Sequence, residues 1–223
     1  FKLINNTNWV QLGNTILSNQ VYKQDLEHFG INVSINSSGS RIAIASENES
    51  YLDHLNVFHV HRGVARVYEL SGNSTSDNDI SGEWIILGNP LIARDYSFYD
   101  LTGSNKNPKI DNVALNDTGN ILVFSSSYIA DSAGQVYIYY YDDNNIWTFV
   151  NVINTEFPKS EFGKSIALNK YGGVLAVGSK FGRNNNEHML RKTGKVSIYK
   201  NININFGWTD QTYEISLNDI KLQ

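Results

Sequence analysis

The chain of 223 residues contains no cysteine, which excludes a disulfide framework, a thiolate nucleophile and a cysteine-ligated zinc site. Proline is scarce, with 3 residues against 17 glycines, a balance that suits strands joined by tight turns. A basic excess is also missing, since the formal net charge is -4 and a nucleic acid or an anionic membrane would need a basic stripe. No apolar run approaches the ~20 residues of a membrane-spanning helix. We therefore expect no nucleic-acid partner and no membrane span.

Three segments of the chain superimpose without gaps. Each reads apolar-x-apolar-Asn, two spacer residues, Gly, and then a second aliphatic run. Asparagine initiates tight turns and glycine adopts the positive φ that such turns need, so each segment predicts a β-hairpin. The three segments are 33–44, 113–124 and 166–177, with turns at Asn36 and Gly39, Asn116 and Gly119, and Asn169 and Gly172.

Two further strands follow each hairpin. A strand led by glycine ends in tyrosine at 63–68, 134–139 and 194–199, with the period-2 alternation of a sheet. A fourth strand is marked by Trp84, Trp147 or Trp208. Each unit thus has four strands in the order a, b, c, d. The repeats cover approximately 17–92, 93–153 and 154–217 of one domain, 1–223.

Four strands per unit and radial repetition predict the blades of an all-β propeller, and a β-sandwich or a β-solenoid is the alternative fold. Phe29-Gly30 and Phe162-Gly163 precede two of the hairpins. With the glycine-led and tryptophan strands, they give the chain a resemblance to FG-GAP-like and Trp-x-x-Leu-Gly propeller repeats. The second copy departs from this pattern, because Lys109-Ile110 replaces Phe-Gly. The resemblance implies four-stranded antiparallel blades and leaves the function open, since propellers host many.

The N-terminal residues repeat the fourth strand without the strands that should precede it. Trp9-Val-Gln-Leu-Gly13 matches Trp84-Ile-Ile-Leu-Gly88. Residues 1–16 are therefore predicted to form an extra outer strand on the edge of a blade. That blade belongs either to another chain or a missing segment, or to the third unit if the Trp208 segment does not pair there.

Catalytic and cofactor motifs are absent from the sequence. It contains no Gly-x-Ser-x-Gly, P-loop, His-Glu-x-x-His or Rossmann fingerprint. Integrin-type members of the resembled family carry a calcium loop between strands a and b, and here those connections are too short and too poor in carboxylates. We predict no catalytic residue and no cofactor. The alternative is a glycan hydrolase or lyase with paired carboxylates around the channel, from Asp25, Glu27, Asp95 and Asp100.

Two further segments resemble metal sites only in part. Asp77-Asn-Asp79 begins like an EF-hand loop but lacks its later ligands. His54, His59 and His61 cluster in the b–c connection of the first unit, without the fixed spacing that three or four converging ligands need. We therefore predict no metal site, and expect a polar turn and exposed loop histidines.

The long connections of the units emerge on one face. They are the d–a segments 17–28, 93–110 and 154–161 and the b–c segments 46–62, 126–133 and 179–193. Binding residues concentrate on long loops of a rigid scaffold, and aromatic and arginine side chains are usual anchors for proteins and sugars. The candidate ligand-binding residues are Tyr51, His54, Phe58, Arg94, Tyr96, Phe98, Tyr99, Tyr128, Arg183, His188 and Arg191.

Three blades are fewer than the 4–8 with which propellers typically close, and open sheet edges invite pairing. We expect a larger assembly or a longer chain to complete the ring. The function that these patterns favour is a non-catalytic binding or structural module with a protein or glycan partner. We expect it outside the cell or on a virion surface.

Overall fold

A computed structural model describes residues 1–4, 7–18, 28–52, 58–72, 81–93, 108–155, 157–182, 194–203 and 207–215. Over these residues the chain forms fifteen strands and one four-residue helix, α1 (Ile129–Ser132). Every strand pairing in this part of the chain is antiparallel. The described chain is therefore all-β.

Three sheets follow one another along the chain, and we call them blades 1, 2 and 3. Blade 1 contains β3 (Asn32–Ile35), β4 (Arg41–Leu52), β5 (Phe58–Ser71) and β6 (Glu83–Ile86), with the short β7 (Leu91–Ile92) also paired to β5. Blade 2 contains β8 (Asn112–Leu115), β9 (Ile121–Ser126), β10 (Gln135–Tyr141) and β11 (Trp147–Asn154). Blade 3 contains β12 (Phe162–Leu168), β13 (Val174–Ser179), β14 (Lys195–Asn203) and β15 (Gly207–Ile215).

The strand order within each blade confirms the prediction from the repeats. The glycine-led strands β5, β10 and β14 are third in their sheets, and the tryptophan strands β6, β11 and β15 are fourth. In each blade the chain therefore runs from one edge of the sheet to the other.

The a–b turns form as predicted, and their asparagines hold them. Asn116 Oδ1 accepts hydrogen bonds from the backbone N–H groups of Asn120 (3.0 Å) and Ile121 (2.9 Å), and Gly119 has a φ of 70°. The turns also bond to one another. Ser37 N donates to Asp117 O (3.2 Å), and Asp117 N donates to Lys170 O (2.9 Å). These bonds connect the three blades in series.

Alternate side chains fill the space between blades. We call the face of a blade toward the preceding one its leading face and the opposite face its trailing face. The junction of blades 1 and 2 packs small residues of one blade against large residues of the other. The trailing face of blade 1 supplies Ala43, Ala45, Ala65 and Val67, and the leading face of blade 2 supplies Val113, Leu115, Leu122, Phe124, Tyr137 and Tyr139.

The junction of blades 2 and 3 is aliphatic for the most part. The trailing face of blade 2 supplies Ile121, Val123, Val136 and Ile138, and blade 3 supplies Phe162, Leu175, Val177 and Tyr199. Phe162 and Tyr199 meet edge to face with ring centroids 6.1 Å apart. Each junction thus removes a continuous apolar surface from water, which is the main stabilising term in folding.

The first strands of successive blades lie beside one another. On β3, Asn32 Oδ1 accepts a hydrogen bond from Val113 N of β8 (3.1 Å). On β8, Asn112 Nδ2 donates to Gly163 O of β12 (3.1 Å). Four-stranded antiparallel sheets that pack face to face, with their first strands innermost, are the blades of a β-propeller. The predicted fold class is confirmed.

Blades 2 and 3 each begin against the glycine that leads strand c of the preceding blade. A Cβ on Gly134 would lie 2.0 Å from Phe162 O, and a Cβ on Gly63 would lie 2.3 Å from Ile110 N. Ile110 is fully buried, as Phe162 almost is. The second unit therefore starts as the third does, although Lys109-Ile110 replaces Phe-Gly.

The tryptophan strands are joined by a contact that we call the Leu-Gly-Asn clasp. Trp147 Nε1 donates to Leu87 O (3.0 Å), and Trp147 N donates to Asn89 Oδ1 (3.0 Å). The intervening Gly88 has a φ of 74° and leaves no room for a Cβ beside the indole. Each such motif thus binds the tryptophan of the next blade.

Residues 12–14 form the same clasp on blade 1. Trp84 Nε1 donates to Leu12 O (2.9 Å), and Trp84 N donates to Asn14 Oδ1 (2.6 Å). The preceding residues form a hairpin of β1 (Lys2–Ile4) and β2 (Asn8–Val10), in which Leu3 opposes Trp9. The sequence predicted one strand here, and the structure has two.

One of the two positions expected for the Trp9 strand is already filled. We expected it in the third blade if the Trp208 segment did not pair there. That segment is part of β15, which pairs with β14 through Asn201 and Trp208. The fourth position of blade 3 is therefore occupied.

The b–c connection of blade 1 differs from the predicted loop at 46–62. β4 and β5 extend as a paired arm, with Tyr51 opposite His59 and Leu52 opposite Phe58. His61 also lies within β5. Register shifts on both sides of Glu49 are typical of β-bulges, which add twist to a hairpin. The strand could not be predicted from the sequence, because this segment is polar and lacks the apolar alternation of a strand. Backbone pairing does not require that alternation.

Candidate functional site

The b–c and d–a segments meet at one end of the blades, which we call the loop face. Phe181 N after β13 donates to Ser160 O before β12 (3.0 Å), and Ser127 N after β9 donates to Asp111 Oδ2 before β8 (2.6 Å). Hydrogen bonds therefore tie the two kinds of connection together on this face. The predicted common exit of these connections is confirmed for the described residues.

At the junction of blades 2 and 3, the loop face exposes an aromatic ring beside a cation. Lys164 Nζ lies 4.5 Å from the centroid of the Tyr128 ring and donates to Tyr128 Oη (2.9 Å). Asp111 Oδ1 lies 3.6 Å from the same ammonium group. Tyr128 is 42% exposed. We call Asp111, Tyr128 and Lys164 the tyrosine–lysine site.

The charge of Lys164 is stabilised by its neighbours. Burial disfavours the ammonium form, but the hydrogen bond to Tyr128 and the Asp111 carboxylate outweigh it and raise the pKa of Lys164 above its ordinary value. The residue therefore remains a cation at neutral pH and is unsuited to act as a base. The site offers a fixed cation and an exposed ring face to a partner.

The backbone around this site is strained. Ser132, Lys159 and Glu161 all have positive φ angles, of 59°, 59° and 49°, although none is glycine. Glu161 N donates to Ser132 O (2.8 Å), which ties the end of α1 to the start of blade 3. Such conformations persist where the surrounding structure holds them, and they are frequent at functional sites.

The junction of blades 1 and 2 carries an ionic cluster on the same face. Glu47 Oε1 accepts a hydrogen bond from Lys109 Nζ (2.7 Å), and Glu47 Oε2 lies 2.5 Å from His28 Nδ1. The hydrogen bonds from Lys109 and His28 lower the pKa of Glu47. Each of the two junctions is thus bridged by a lysine from the start of the following blade, and a carboxylate compensates the charge of that lysine.

A second ion pair lies inside blade 1. Glu49 and Arg66 are hydrogen-bonded, and both side chains are buried. Removing one partner of such a pair leaves an uncompensated buried charge, at a cost of about 3–5 kcal/mol. Its burial gives this pair a structural role within the β4–β5 hairpin.

The structure places few of the predicted binding residues. Tyr128 lies in the tyrosine–lysine site, while Tyr51 and Phe58 lie on β4 and β5 with only their backbone described. The other predicted binding residues lie outside the described residues: His54, Arg94, Tyr96, Phe98, Tyr99, Arg183, His188 and Arg191. The acidic residues of the enzyme alternative also lie outside them: Asp25, Glu27, Asp95 and Asp100. The same is true of the Asp77 turn.

The sequence reasoning missed the charged residues of the loop face. Lys109 and Lys164 stand at the starts of blades 2 and 3, where Lys109 replaces the Phe of Phe-Gly and Lys164 directly follows Phe162-Gly163. The signal that could have found them is this recurrence of lysine beside the blade start. Their carboxylate partners come from elsewhere in the chain and show no local pattern.

Within the described ranges, no three histidine, aspartate or glutamate residues lie close enough together to hold a metal ion. No helix of the described residues is long and apolar enough to cross a membrane.

The described residues form an array of propeller blades whose loop face carries an exposed tyrosine and two lysine–carboxylate pairs. No family model and no curated protein matches the chain. Among solved structures it is similar to Sqt1 of Saccharomyces cerevisiae, with 10% identity and a TM-score of 0.45 over 82% of this chain and 34% of that one. Two structures of Chaetomium thermophilum Sqt1 match with 10% and 12% identity and TM-scores of 0.40.

Those two matches cover 78% and 79% of this chain. The chain spans only 34%, 44% and 45% of the three Sqt1 chains. A likeness of this degree identifies no function.

Proposed function

We propose that this chain is a non-catalytic binding module that recognises a protein or glycan partner through the tyrosine–lysine site. The observation that supports this proposal is the exposed Tyr128 ring held against the Lys164 ammonium at a junction of two blades. Aromatic rings with an adjacent cation are frequent anchors in interfaces and in sugar stacking. A rigid site loses little conformational entropy when it binds.

The ionic arrangement of the loop face favours binding over catalysis. Asp111 and Glu47 are each engaged by a lysine, and Asp111 also accepts a backbone hydrogen bond. A glycosidase needs one free carboxylate and one protonated carboxyl on either side of the scissile bond. The engaged carboxylates of this face offer neither, so they do not support the enzyme alternative.

The chain contains a matched control for this site. Lys170 Nζ also lies 4.5 Å from an exposed tyrosine ring, that of Tyr171, but at an a–b turn on the opposite end of blade 3. The wild-type chain is used to capture binding partners from an extract. We expect the Tyr128→Ala/Lys164→Ala double variant to lose this capture. The Lys170→Ala/Tyr171→Ala double variant should retain it. Equal capture by both double variants would contradict the proposal. Protease and glycosidase treatment of the captured material distinguishes a protein from a glycan.

We also propose three properties that the sequence patterns favour. The chain is an FG-GAP-like propeller repeat protein, it acts outside the cell or on a virion surface, and further blades from a longer chain or a larger assembly complete its ring. The ring proposal is supported by the apolar leading face of blade 1, which is exposed at Val33 and Ile35. The particle mass in solution, set against the mass of the intact gene product, tests it.

A further inference from the structure

The β1–β2 hairpin repeats the outer half of a blade. Leu3 opposes Trp9 in this hairpin as Leu70 opposes Trp84 in blade 1, and Tyr141 opposes Trp147 in blade 2. Residues 12–14 then clasp Trp84, as residues 87–89 clasp Trp147. β1 and β2 therefore occupy the places of strands c and d in a blade before blade 1. Their sheet has two strands, whereas each other blade has at least four.

The leading face of blade 1 is open over its innermost strand. Val33 is 57% exposed and Ile35 is 58% exposed. The repeat-equivalent Val113 and Leu115 of blade 2 are 5% and 8% exposed, because the trailing face of blade 1 covers them.

The same face is closed beyond its innermost strand. Ile44 on β4 and Tyr68 on β5 are 5% and 6% exposed. The opening thus lies where strands a and b of a preceding blade would stand, and the outer half of that blade is already present. Each inner hairpin among the described residues stands in its own blade, so the occupant comes from outside them.

We propose that this opening accepts an inner β-hairpin, strands a and b, from outside the described residues. The hairpin joins β1 and β2 in one four-stranded blade and covers Val33 and Ile35. The inference rests on the proposed completion of the ring and names the segment that completes it. The two junctions inside the chain support it, because in both the first strand of one blade contacts strands a and b of the blade before it. β8 contacts β3 and β4, and β12 contacts β8 and β9.

The two internal junctions also specify the chemistry of the occupant. The leading face of blade 1 pairs Val33 with Ile44 and Ile35 with Ile42, and is aliphatic like that of blade 3. Blade 3 is covered by the hairpin of blade 2, whose trailing face carries Ile121 and Val123. An Asn-x-x-Gly turn would place its second residue to donate a backbone hydrogen bond to Ser37 O, as Ser37 itself donates to Asp117 O. The occupant is therefore an apolar hairpin with this turn.

A peptide of residues 109–127 serves as the probe, with the 223-residue chain as its receptor. Adjacent residues of the peptide point to opposite faces, which gives a matched control. We expect Val123→Glu in the peptide to weaken binding at least about tenfold, and Phe124→Glu to change it by less than about twofold. Equal weakening by the two peptide variants, or no binding of the unmodified peptide, would overturn the proposal.

Variants of the receptor test the same face. Ile35→Glu is expected to weaken peptide binding at least about tenfold, and Ile146→Glu, at an exposed turn of blade 2, to leave it unchanged. Both side chains are exposed, so both variants should keep the wild-type thermal midpoint. Self-association of the chain that Ile35→Glu abolishes would show that a second copy covers the face, and would overturn the hairpin. Particle mass tests the completed ring separately, so failure of the hairpin proposal can be distinguished from failure of the ring proposal.

Discussion

Single glycines show how closely the blades approach. Gly134 has a φ of 94°, and a Cβ there would lie 2.0 Å from Phe162 O at the start of blade 3. Backbone strain and a main-chain collision that no rotamer relieves are both expected from a side chain. The close approach of blade 3 to blade 2 thus depends on the missing side chain.

We expect Gly134→Ala to lower the free energy of unfolding by about 3 kcal/mol or more. Gly173→Ala is the control, because no heavy atom lies within 4 Å of its Cβ position, and a change within about 0.5 kcal/mol is expected. Denaturant unfolding of both variants measures the difference. Similar losses of stability in the two variants would show that the close approach of Gly134 to Phe162 does not determine the effect.

Glu47 should make stability depend on pH. Hydrogen bonds from Lys109 and His28 lower its pKa in the folded state below the ordinary value of 4.5. The stabilisation is therefore fully present above pH 4.5 and is lost as the pH falls through the lower folded pKa. We expect Glu47→Gln to flatten the fall of the thermal midpoint below pH 4.5, and Lys109→Met to do the same.

The additivity of these two substitutions checks the cause. If they act through one ion pair, the double variant should show little more loss at pH 7 than either single variant. Fully additive losses would place the pH dependence elsewhere.

Among the elements, the Leu-Gly-Asn clasp gives the tryptophan motif its physical meaning. Trp147→Phe and Trp84→Phe each remove an indole N–H that bonds a backbone carbonyl, so each should cost about 1–2 kcal/mol. Trp9 is 68% exposed, and Trp9→Phe should change stability by less than about 0.5 kcal/mol. Chemical denaturation of the three variants compares them. A large loss of stability from Trp9→Phe would contradict the exposed position of this side chain.

The repeats allowed prediction of the blades because their information is local. Asn116 and Gly119 set a turn within four residues, and the glycine-led strand carries its period-2 pattern within six. The contact of Leu12 with Trp84 joins residues far apart in the chain, so no local propensity indicates it. Turns and strands could therefore be predicted, and the contacts between blades could not.

Short or polar elements were missed for a related reason. β1 has only three residues, too few for any alternation to be recognised. In the arm of blade 1, polar residues such as Glu49 interrupt the apolar pattern while the backbone remains paired. Of the candidate site, the exposed Tyr128 was predicted. Its partner Lys164 was not, because their proximity arises from the packing of two blades.

Over the whole molecule, blade 2 is the best protected unit. It packs on both faces, whereas blade 1 leaves β3 open and blade 3 leaves Val196 42% exposed on its trailing face. Local opening requires less free energy where fewer apolar contacts are broken. We expect amides of β9 and β10 to exchange with deuterium more slowly than those of β3, by hydrogen-exchange mass spectrometry. Uniform exchange across the blades would show that they unfold as a single unit.

The hydrogen bonds between the a–b turns give the array a direction. Ser37 donates to Asp117, and Asp117 donates to Lys170, so every donor points from one blade to the next. A blade added before blade 1 must present an N–H to the Ser37 carbonyl, and a blade added after blade 3 must present a carbonyl to the Lys170 N–H. Two copies related by a twofold axis would place like groups against each other at these turns. Head-to-tail contacts match them and end only when the ring closes.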